Sequence, residues 1–412
     1  MKRREFLKTM AFSTSGLLFL TGNGWAAKAL GEEKTRKRLV VVFLRGAVDG
    51  LNVVVPYSET VYYSARPTIA IPRPGENGGA FRLDNHFGLH PALSPIMPLW
   101  EQGTLAFVHA SGSPDSSRSH FDAQDYMETA TPGAKGTPDG WLNRLLEVLP
   151  GTRSATEAIS VGPTLPRILS GKIATTNFTL NEAGTRPTPL DRPEIQSAFD
   201  RLYTGNDPLS IAYREGQSAR KELLAQIAED MKMSDGGAPS PNGFAGEAQK
   251  LGRLIARDST IKVAFVALGG WDTHVNQGSS TGQLANRLTG LGETLAALVQ
   301  GLGSAYSETA ILVMSEFGRT AQENGNTGTD HGHGNVMWVA GGKVRGGKVY
   351  GEWPGLSGNE LYEGRDLAVT TDFRELISAV LQSQFDLTVT QLNKVIPKAP
   401  RPSRKIREIV QA

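Results

Sequence analysis

Short apolar runs alternate with amphipathic segments along most of this chain. Runs with the length of buried β-strands occupy residues 39–44, 105–109, 261–268, 309–314 and 336–340. Apolar residues spaced three to four positions apart predict helices near residues 91–102, 119–129, 141–148, 211–231, 244–258, 284–302 and 371–384. Strands that alternate with helices in this way favour a mostly parallel central sheet with helices on both faces. The pattern therefore predicts an α/β fold.

The length of the chain allows one large domain or two smaller ones. It has 412 residues, and its hydrophobic and charged fractions, 39% and 20%, are ordinary for soluble proteins. We expect one α/β domain over residues 30–412. Within it, residues from about 111 to 260 are predicted to contribute helices and an inserted cap.

The first residues have the order of a twin-arginine export signal. Arg3 and Arg4 precede a modest apolar stretch at 17–20, and a small-residue cleavage site follows at 27–29. This order predicts a signal peptide at 1–29, recognition by the twin-arginine export machinery, and a periplasmic, secreted or cell-surface location. The alternative is a basic, disordered N-terminus. The apolar stretch is too short to anchor the chain, so no transmembrane span is expected in the mature protein.

Composition restricts the partners and the compartment. The chain has no cysteine, so its stability must come from its core rather than from disulfides. Residues 1–29 contain five basic residues and one acidic residue, so their removal changes the formal net charge from +2 to −2. A mature chain of this charge is not expected to bind nucleic acid over a broad surface.

Polar clusters rich in Asp and His stand at the ends of four of the apolar runs. In an open α/β sheet, ligands gather at the carboxyl ends of the strands, so we expect these clusters to lie close together. Carboxylates and imidazoles that converge in this way are typical of a divalent metal site, with Zn, Mn, Mg or Ca as the candidate ions. The predicted metal ligands are Asp49, Asp272, His274, Glu316, His331 and His333.

Each cluster also has a structural interpretation. Asp49 precedes a glycine and could simply form a turn, while Glu316 and Arg319 could form an ion pair at a strand end. Ser119 lies at a predicted helix start, where serine is a common N-cap. The strongest short signal is the sequence around His331 and His333, since two histidines and an aspartate fall within four residues.

Four ordered motifs resemble the exported DUF1501 proteins. They lie at residues 43–56, 118–125, 270–274 and 315–320, and the resemblance covers nearly the whole mature chain. That family is related by fold to the alkaline phosphatase and sulfatase superfamily. The resemblance implies a central sheet with one or two metals at its carboxyl edge. It does not establish a reaction, because fold alone does not fix chemistry.

The superfamily resemblance assigns roles residue by residue. Asp49 resembles a metal-binding aspartate after the first strand, and Asp272 with His274 resembles a mid-chain ligand pair. Glu316 falls where phosphatases usually have an Asp-His pair, but Phe317 follows it, so His331 or His333 is needed to supply the missing nitrogen.

The expected chemistry is hydrolysis of a phosphate or sulfate ester, small or polymeric, in the cell envelope. Ser119 is the preferred nucleophile, with Ser117 as the alternative, because a helix start can hold an anion. His120 is expected to act as a ligand or as a proton shuttle. A tetrahedral anion could be clamped by one of three arginines, Arg45, Arg118 or Arg319. The alternative function is a non-catalytic envelope protein that uses the same fold for binding or assembly.

Overall fold

The computed structural model describes residues 37–151, 154–162, 164–178, 204–205, 210, 235 and 237–410. Residues from Arg36 to Ala412 form one compact unit. The predicted signal peptide and the helix predicted near 211–231 lie outside the described residues. Within the described residues, no helix combines the length and the apolar character needed to cross a membrane.

The central sheet contains nine of the described strands, and three further strands form a small second sheet. The strands are β1 Arg38–Leu44, β2 Val54–Val55, β3 Phe81–Arg82, β4 Gly88–Leu89, β5 Leu105–Gly112, β6 Ala158–Val161, β7 Thr176–Phe178, β8 Val263–Leu268, β9 Thr309–Ser315, β10 Asn335–Gly341, β11 Lys348–Tyr350 and β12 Thr371–Asp372.

The order of the central sheet is β11-β5-β10-β9-β1-β8-β6-β7, and β12 also pairs with β5. Strand β10 is antiparallel to both of its neighbours, whereas the other described pairs in this sheet are parallel. The predicted α/β fold with a mostly parallel sheet is confirmed. Because β10 runs backwards, its first residue lies at the edge where β1, β5, β8 and β9 end.

The described helices connect and cover these strands. The α-helices are Gly50–Val53, Thr60–Ala65, Met97–Glu101, His120–Thr129, Trp141–Val148, Ala245–Arg257, Gln283–Leu302, Phe373–Phe385, Val389–Val395 and Arg404–Arg407. Shorter 3-10 helices are Pro91–Ile96, Ala155–Glu157, Arg167–Leu169 and Gly303–Glu308.

Both faces of the central sheet are buried, as strand β1 shows. Leu39, Val41 and Phe43 join a core cluster that includes residues of helix Trp141–Val148. The alternate residues of β1 join a second cluster that includes residues of helix Gln283–Leu302. Successive side chains of a strand point to opposite faces, so a strand buried on both faces has a continuous apolar sequence.

The region near 111–260 differs in part from its predicted role as a cap. Its described residues include strands β6 and β7, which extend the central sheet beyond β8. Strand β6 has four residues and β7 has three, too short for their periodicity to separate a strand from a loop. The described part of this region therefore contributes strands to the central sheet, in addition to helices.

Candidate metal centre

The strand ends bring together four polar side chains that are distant in sequence. Asp272 follows β8, Glu316 directly follows β9, and His120 begins the helix that follows β5. His331 precedes β10, and the reversed direction of β10 places it at the same edge. An isolated bridge between Arg319 and His331 fixes the backbone of His331 beside the end of β9.

His120, Asp272 and His331 form a compact set of donor atoms. One ligand atom from each lies within 4.8 Å of the others. The Nε2 atoms of His120 and His331 are 2.9 Å apart, and Nε2 of His331 is 3.4 Å from Oδ1 of Asp272. Donors at 2.0–2.1 Å around a tetrahedral zinc ion stand about 3.3 Å apart. The spacing therefore fits side chains that share one ion.

His274 supplies a further nitrogen on one side of this set. Its Nε2 lies 3.0 Å from Nε2 of His331 and 2.9 Å from Oδ1 of Asp272. Its Nδ1 lies 3.3 Å from Oδ1 of Asp330, a partly exposed carboxylate that orients the ring. His274 is 39% exposed and His120 is 11% exposed, so the cluster opens to solvent on the His274 side.

The imidazoles turn their lone pairs toward one another. Nδ1 of His120 is 2.7 Å from Oε1 of Glu316, and Nδ1 of His331 is 2.9 Å from the carbonyl oxygen of Arg118. A nitrogen beside an acceptor keeps its proton, so in the neutral rings Nε2 carries the lone pair. Facing lone pairs repel unless a proton or a cation lies between them. The donor chemistry therefore fits a divalent ion.

Glu316 holds His120 through a buried polar chain. Oε1 of Glu316 also accepts a hydrogen bond of 2.9 Å from Nε2 of Gln124. The side-chain oxygen of Gln124 in turn accepts one of 2.5 Å from Nη1 of Arg45, whose other nitrogen pairs with Glu128. Glu316 is fully buried. Its carboxylate contacts Nδ1 of His120 and the amide of Gln124, and not the Nε2 atoms that face one another. Glu316 therefore contacts a member of the donor set and is not itself a member of it.

Arg319 holds the carboxylate of Asp272. Its Nη2 lies 2.5 Å from Oδ1 of Asp272, and its remaining donors bind backbone carbonyls that include those of Gly46 and Ala47. The guanidinium is fully buried. Arg319 is therefore a positioning residue in this structure, and its donors do not face an open anion site.

The acidic and basic groups of the cluster shift one another's pKa values. Burial acts to raise the pKa of Asp272, but the polar contacts with the surrounding imidazoles and the positive charge of Arg319 outweigh it and hold the pKa below its ordinary value. Burial acts to lower the pKa of His120, yet the carboxylates of Asp272 and Glu316 outweigh it and raise this pKa to about 9. Burial lowers the pKa of His331.

The structure places Asp49 outside this donor set. Its carboxylate forms two hydrogen bonds with Arg66, of 2.6 and 3.1 Å, and a third of 2.7 Å with Gln277. Asp49 and Arg66 are fully buried, so the pair is a core ion pair. Asp49 was predicted to be a ligand because it follows the first strand, but its oxygens bind Arg66. Position at a strand end does not reveal such a partner.

His333 also lies apart from the donors, although it is two residues from His331. Its ring stacks on Tyr362, with ring centroids 4.4 Å apart. Gly332 donates to the carbonyl of Gly318, which fixes the turn between the two histidines. Of the two histidines in the motif, only His331 is brought to the cluster.

Ser119 is the N-cap of the helix that carries His120. Its hydroxyl accepts a long hydrogen bond of 3.4 Å from the backbone N–H of Asp122, and its side chain is exposed. The hydroxyl of Ser117 accepts from the N–H of Ser119 at 3.3 Å. Ser119 is therefore a helix cap, and it directly precedes the donor His120 in the sequence.

Sequence reasoning missed two of the residues behind the centre, Gln124 and Glu128. Gln124 and Glu128 follow His120 at intervals of four residues, so they share one helix face, and this spacing was the available signal. Phe317 packs its ring 4.9 Å from that of His120 and 5.1 Å from that of His331. It forms an apolar wall beside both rings.

Comparison with known proteins identifies the family. A model described as "Protein of unknown function (DUF1501)" matches residues 36–398, so the chain belongs to the DUF1501 family, as its motifs indicate. No curated protein matches the chain.

Solved structures match the chain at low identity and low TM-score. Ps i-CgsB in complex with k-i-k-neocarrahexaose is 11% identical, over 86% of this chain and 73% of that chain, with a TM-score of 0.40. A protein in the alkaline phosphatase superfamily from Vibrio parahaemolyticus is 9% identical, over 76% and 62%, with a TM-score of 0.37. A 2-O GAG sulfatase is 10% identical, over 76% and 66%, with a TM-score of 0.35. At these TM-scores the similarities carry no argument about fold or chemistry.

Proposed function

We propose that this chain is a metal-dependent hydrolase of phosphate or sulfate esters. The observation that carries the proposal is the convergence of His120, Asp272 and His331 within 4.8 Å of one another, with Nε2 of His274 beside them. These four donors come from three separate strand ends and remain partly exposed, which is more than the fold alone requires. Catalytic zinc sites typically combine three protein ligands with one open position, so His120, Asp272 and His331 are sufficient for such a site.

The donor set favours a nitrogen-binding ion. Imidazole suits Zn and the later transition metals, whereas Mg, Ca and Mn prefer oxygen ligands. Three imidazoles with a single carboxylate therefore support zinc first among the four candidate ions.

The chemistry divides between the ion and the residues that hold it. A bound divalent ion would polarise an ester oxygen and lower the pKa of a coordinated water or hydroxyl. Glu316 orients His120, the Arg118 carbonyl orients His331, and Arg319 fixes Asp272. Such outer partners keep each ligand basic and correctly turned.

Ser119 remains our candidate nucleophile. Its side chain is exposed, and the next residue in the sequence, His120, is one of the candidate metal donors. The 3.4 Å bond to Asp122 leaves the hydroxyl free to turn toward a substrate. Ser117, whose hydroxyl accepts from the N–H of Ser119, is the second candidate.

Purified protein gives the test of function. Elemental analysis after zinc or manganese loading should find bound metal, and the loaded protein should hydrolyse at least one of an aryl phosphate, a phosphodiester or an aryl sulfate. Asp272→Asn should abolish this activity. Stable metal binding without turnover of any ester would favour the alternative, a non-catalytic envelope binding or assembly protein.

We also propose that the chain is exported by the twin-arginine pathway to the periplasm or cell surface. The support is the paired Arg3 and Arg4 before the apolar stretch. Replacing both with lysine should leave uncleaved precursor in the cytoplasm, whereas the unaltered chain should be recovered with the envelope fraction. Normal export of the lysine variant would contradict this location.

A further inference from the structure

The arginines that could hold a substrate anion are already paired within the protein. Arg319 binds Asp272 and backbone carbonyls, and Arg45 binds Gln124 and Glu128. The N–H groups of both guanidiniums therefore form hydrogen bonds within the network that supports the metal ligands. An anion at the centre would have to compete with Glu128 for Arg45 and with Asp272 for Arg319.

Arg118, the third of these arginines, is neutralised in the same way. Its Nη2 lies 2.6 Å from Glu363 and 2.7 Å from the fully buried Asp366. Arg365 lies beside this pair, with Nε 3.0 Å from Asp366 and Nη2 2.7 Å from the carbonyl of His331. Two arginines and two carboxylates therefore balance at the rim of the centre next to His331.

The ion itself would keep little excess charge. A divalent ion bound by neutral imidazoles and by the carboxylate of Asp272 has a single net positive charge. Glu316 and Asp330, which orient two of the imidazoles, add negative charge behind them. The attraction of this centre for an anion grows in proportion to the charge of the anion, but the cost of desolvating the anion grows with the square of that charge.

We infer that the substrate of the proposed hydrolase is a monoanionic ester, namely a phosphodiester or a sulfate monoester, in preference to a dianionic phosphate monoester. This inference rests on the proposed function and adds the charge of the substrate to it. A monoanion matches the single net charge of the loaded centre. The second charge of a phosphate monoester meets no unpaired guanidinium among Arg45, Arg118 and Arg319.

The first test measures binding without turnover. Calorimetry on the zinc-loaded protein at pH 8 would compare dimethyl phosphate and methanesulfonate, both monoanions, with inorganic sulfate, a dianion. We expect the monoanions to bind at least as tightly as sulfate, and the metal-free protein to bind none of them. Clearly tighter binding of sulfate would overturn the inference.

The second test measures turnover on matched aryl esters. At pH 8, kcat/KM for bis(4-nitrophenyl) phosphate or for 4-nitrophenyl sulfate should exceed that for 4-nitrophenyl phosphate by about tenfold. Comparing the two monoanions identifies the ester class. Preference for the phosphate monoester would overturn the inference while leaving the hydrolase function in place. Turnover of none of the three would overturn the hydrolase function, and the calorimetric series would still decide the charge preference.

A charge variant tests the role of Arg118 directly. Glu363→Gln removes one of its two carboxylate partners, and it should strengthen the binding of inorganic sulfate about threefold, with little change for dimethyl phosphate. Glu360→Gln makes the same charge change on the same loop, where Glu360 accepts from the N–H of Ser357, and should change neither affinity. Unchanged sulfate binding in Glu363→Gln would show that this pairing does not set the preference.

Discussion

The Nε2 atoms of His120 and His331 lie 2.9 Å apart, although 211 positions separate the two residues in the chain. His120 follows β5 and His331 precedes β10, and these two strands are antiparallel neighbours. The end of one strand and the start of the other therefore meet at one edge of the sheet. The reversed direction of β10 is what completes the candidate metal centre.

The pair of histidines around Gly332 allows a matched test of this centre. His331→Ala should weaken zinc binding by more than about 100-fold, because it removes a ligand rather than a residue that orients one. His333→Ala should leave zinc affinity unchanged, since its ring stacks on Tyr362. Both affinities are measured by competition with a chromophoric chelator. Equal losses in the two variants would contradict the assignment of His331 as the ligand.

The donors that sequence reasoning found share one property, a position at the end of a buried strand. Asp272, His274 and His331 converge because the ends of β8 and β9 and the start of β10 converge. Asp49 meets the same rule after β1, yet its carboxylate pairs with Arg66. Strand-end position predicts where a side chain stands, but its partners depend on packing between distant segments.

The fold was predictable where apolar runs are long. Strands β1, β8 and β9 have six or seven residues, and each contains an apolar run of at least five residues. The direction of β10 was not predictable, because a buried strand has the same composition in either direction. Strands β6 and β7 are too short to give a periodic signal. The direction and register of a strand depend on loop length and packing, which the local pattern of apolar residues does not reveal.

Gln124 provides a test of the polar chain behind His120. Gln124→Leu removes the hydrogen bond to Glu316 and leaves Arg45 without its amide partner, so zinc affinity should fall about 10- to 100-fold. Gln384→Leu is the matched control. Gln384 is also buried and donates to the carbonyls of Arg38 and Glu308, far from the centre in the fold.

The control separates positioning from general loss of stability. Both glutamine variants should lower the melting temperature of the metal-free protein, but only Gln124→Leu should lower zinc affinity. If Gln384→Leu weakens zinc binding equally, the effect of Gln124 is structural. Rescue of zinc affinity by Gln124→Asn, should it keep the amide contact, would support the positioning role.

Ser119 allows its two roles to be separated by one substitution. Ser119→Asn keeps a good N-cap acceptor but removes the hydroxyl, so stability should change little while ester turnover falls by more than about 10³-fold. Ser119→Ala should lose the same activity and about 1 kcal/mol of stability through the missing cap. Ser117→Ala should keep turnover. Full activity of Ser119→Asn would exclude a serine nucleophile at this position.

The Asp49–Arg66 pair should matter for stability and not for the metal. Arg66→Met leaves a carboxylate uncompensated in the core, and the free energy of unfolding should fall by about 3–5 kcal/mol. The exposed pair between Arg404 and Glu408 is the control, and Arg404→Met should cost at most about 1 kcal/mol. Chemical denaturation measures both. Loss of bound zinc in folded Arg66→Met protein would return Asp49 to the metal site.

Two buried histidines set a pH dependence that is independent of the centre. His90 and His109 are almost completely buried and face the carbonyl oxygens of Ser279 and Val54 through Nε2. Burial lowers the pKa of each to about 4, against 6.5 for an exposed histidine. As the pH falls, the histidines of the unfolded chain therefore take up protons before those of the folded protein. The free energy of unfolding is then highest above pH 6.5 and decreases as the pH falls toward 4.

The size of this effect is measurable at a single site. The contribution of His109 to the free energy of unfolding changes by at most about 3 kcal/mol between pH 7.5 and pH 4. His109→Gln can keep the donor to Val54 but does not titrate, so the difference in unfolding free energy between the parent and this variant should shrink as the pH falls. Urea unfolding of both metal-free proteins at several pH values gives that difference, and metal-free samples keep zinc release out of the measurement. A difference that stays constant from pH 7.5 to 4.5 would show that His109 is not held neutral by burial.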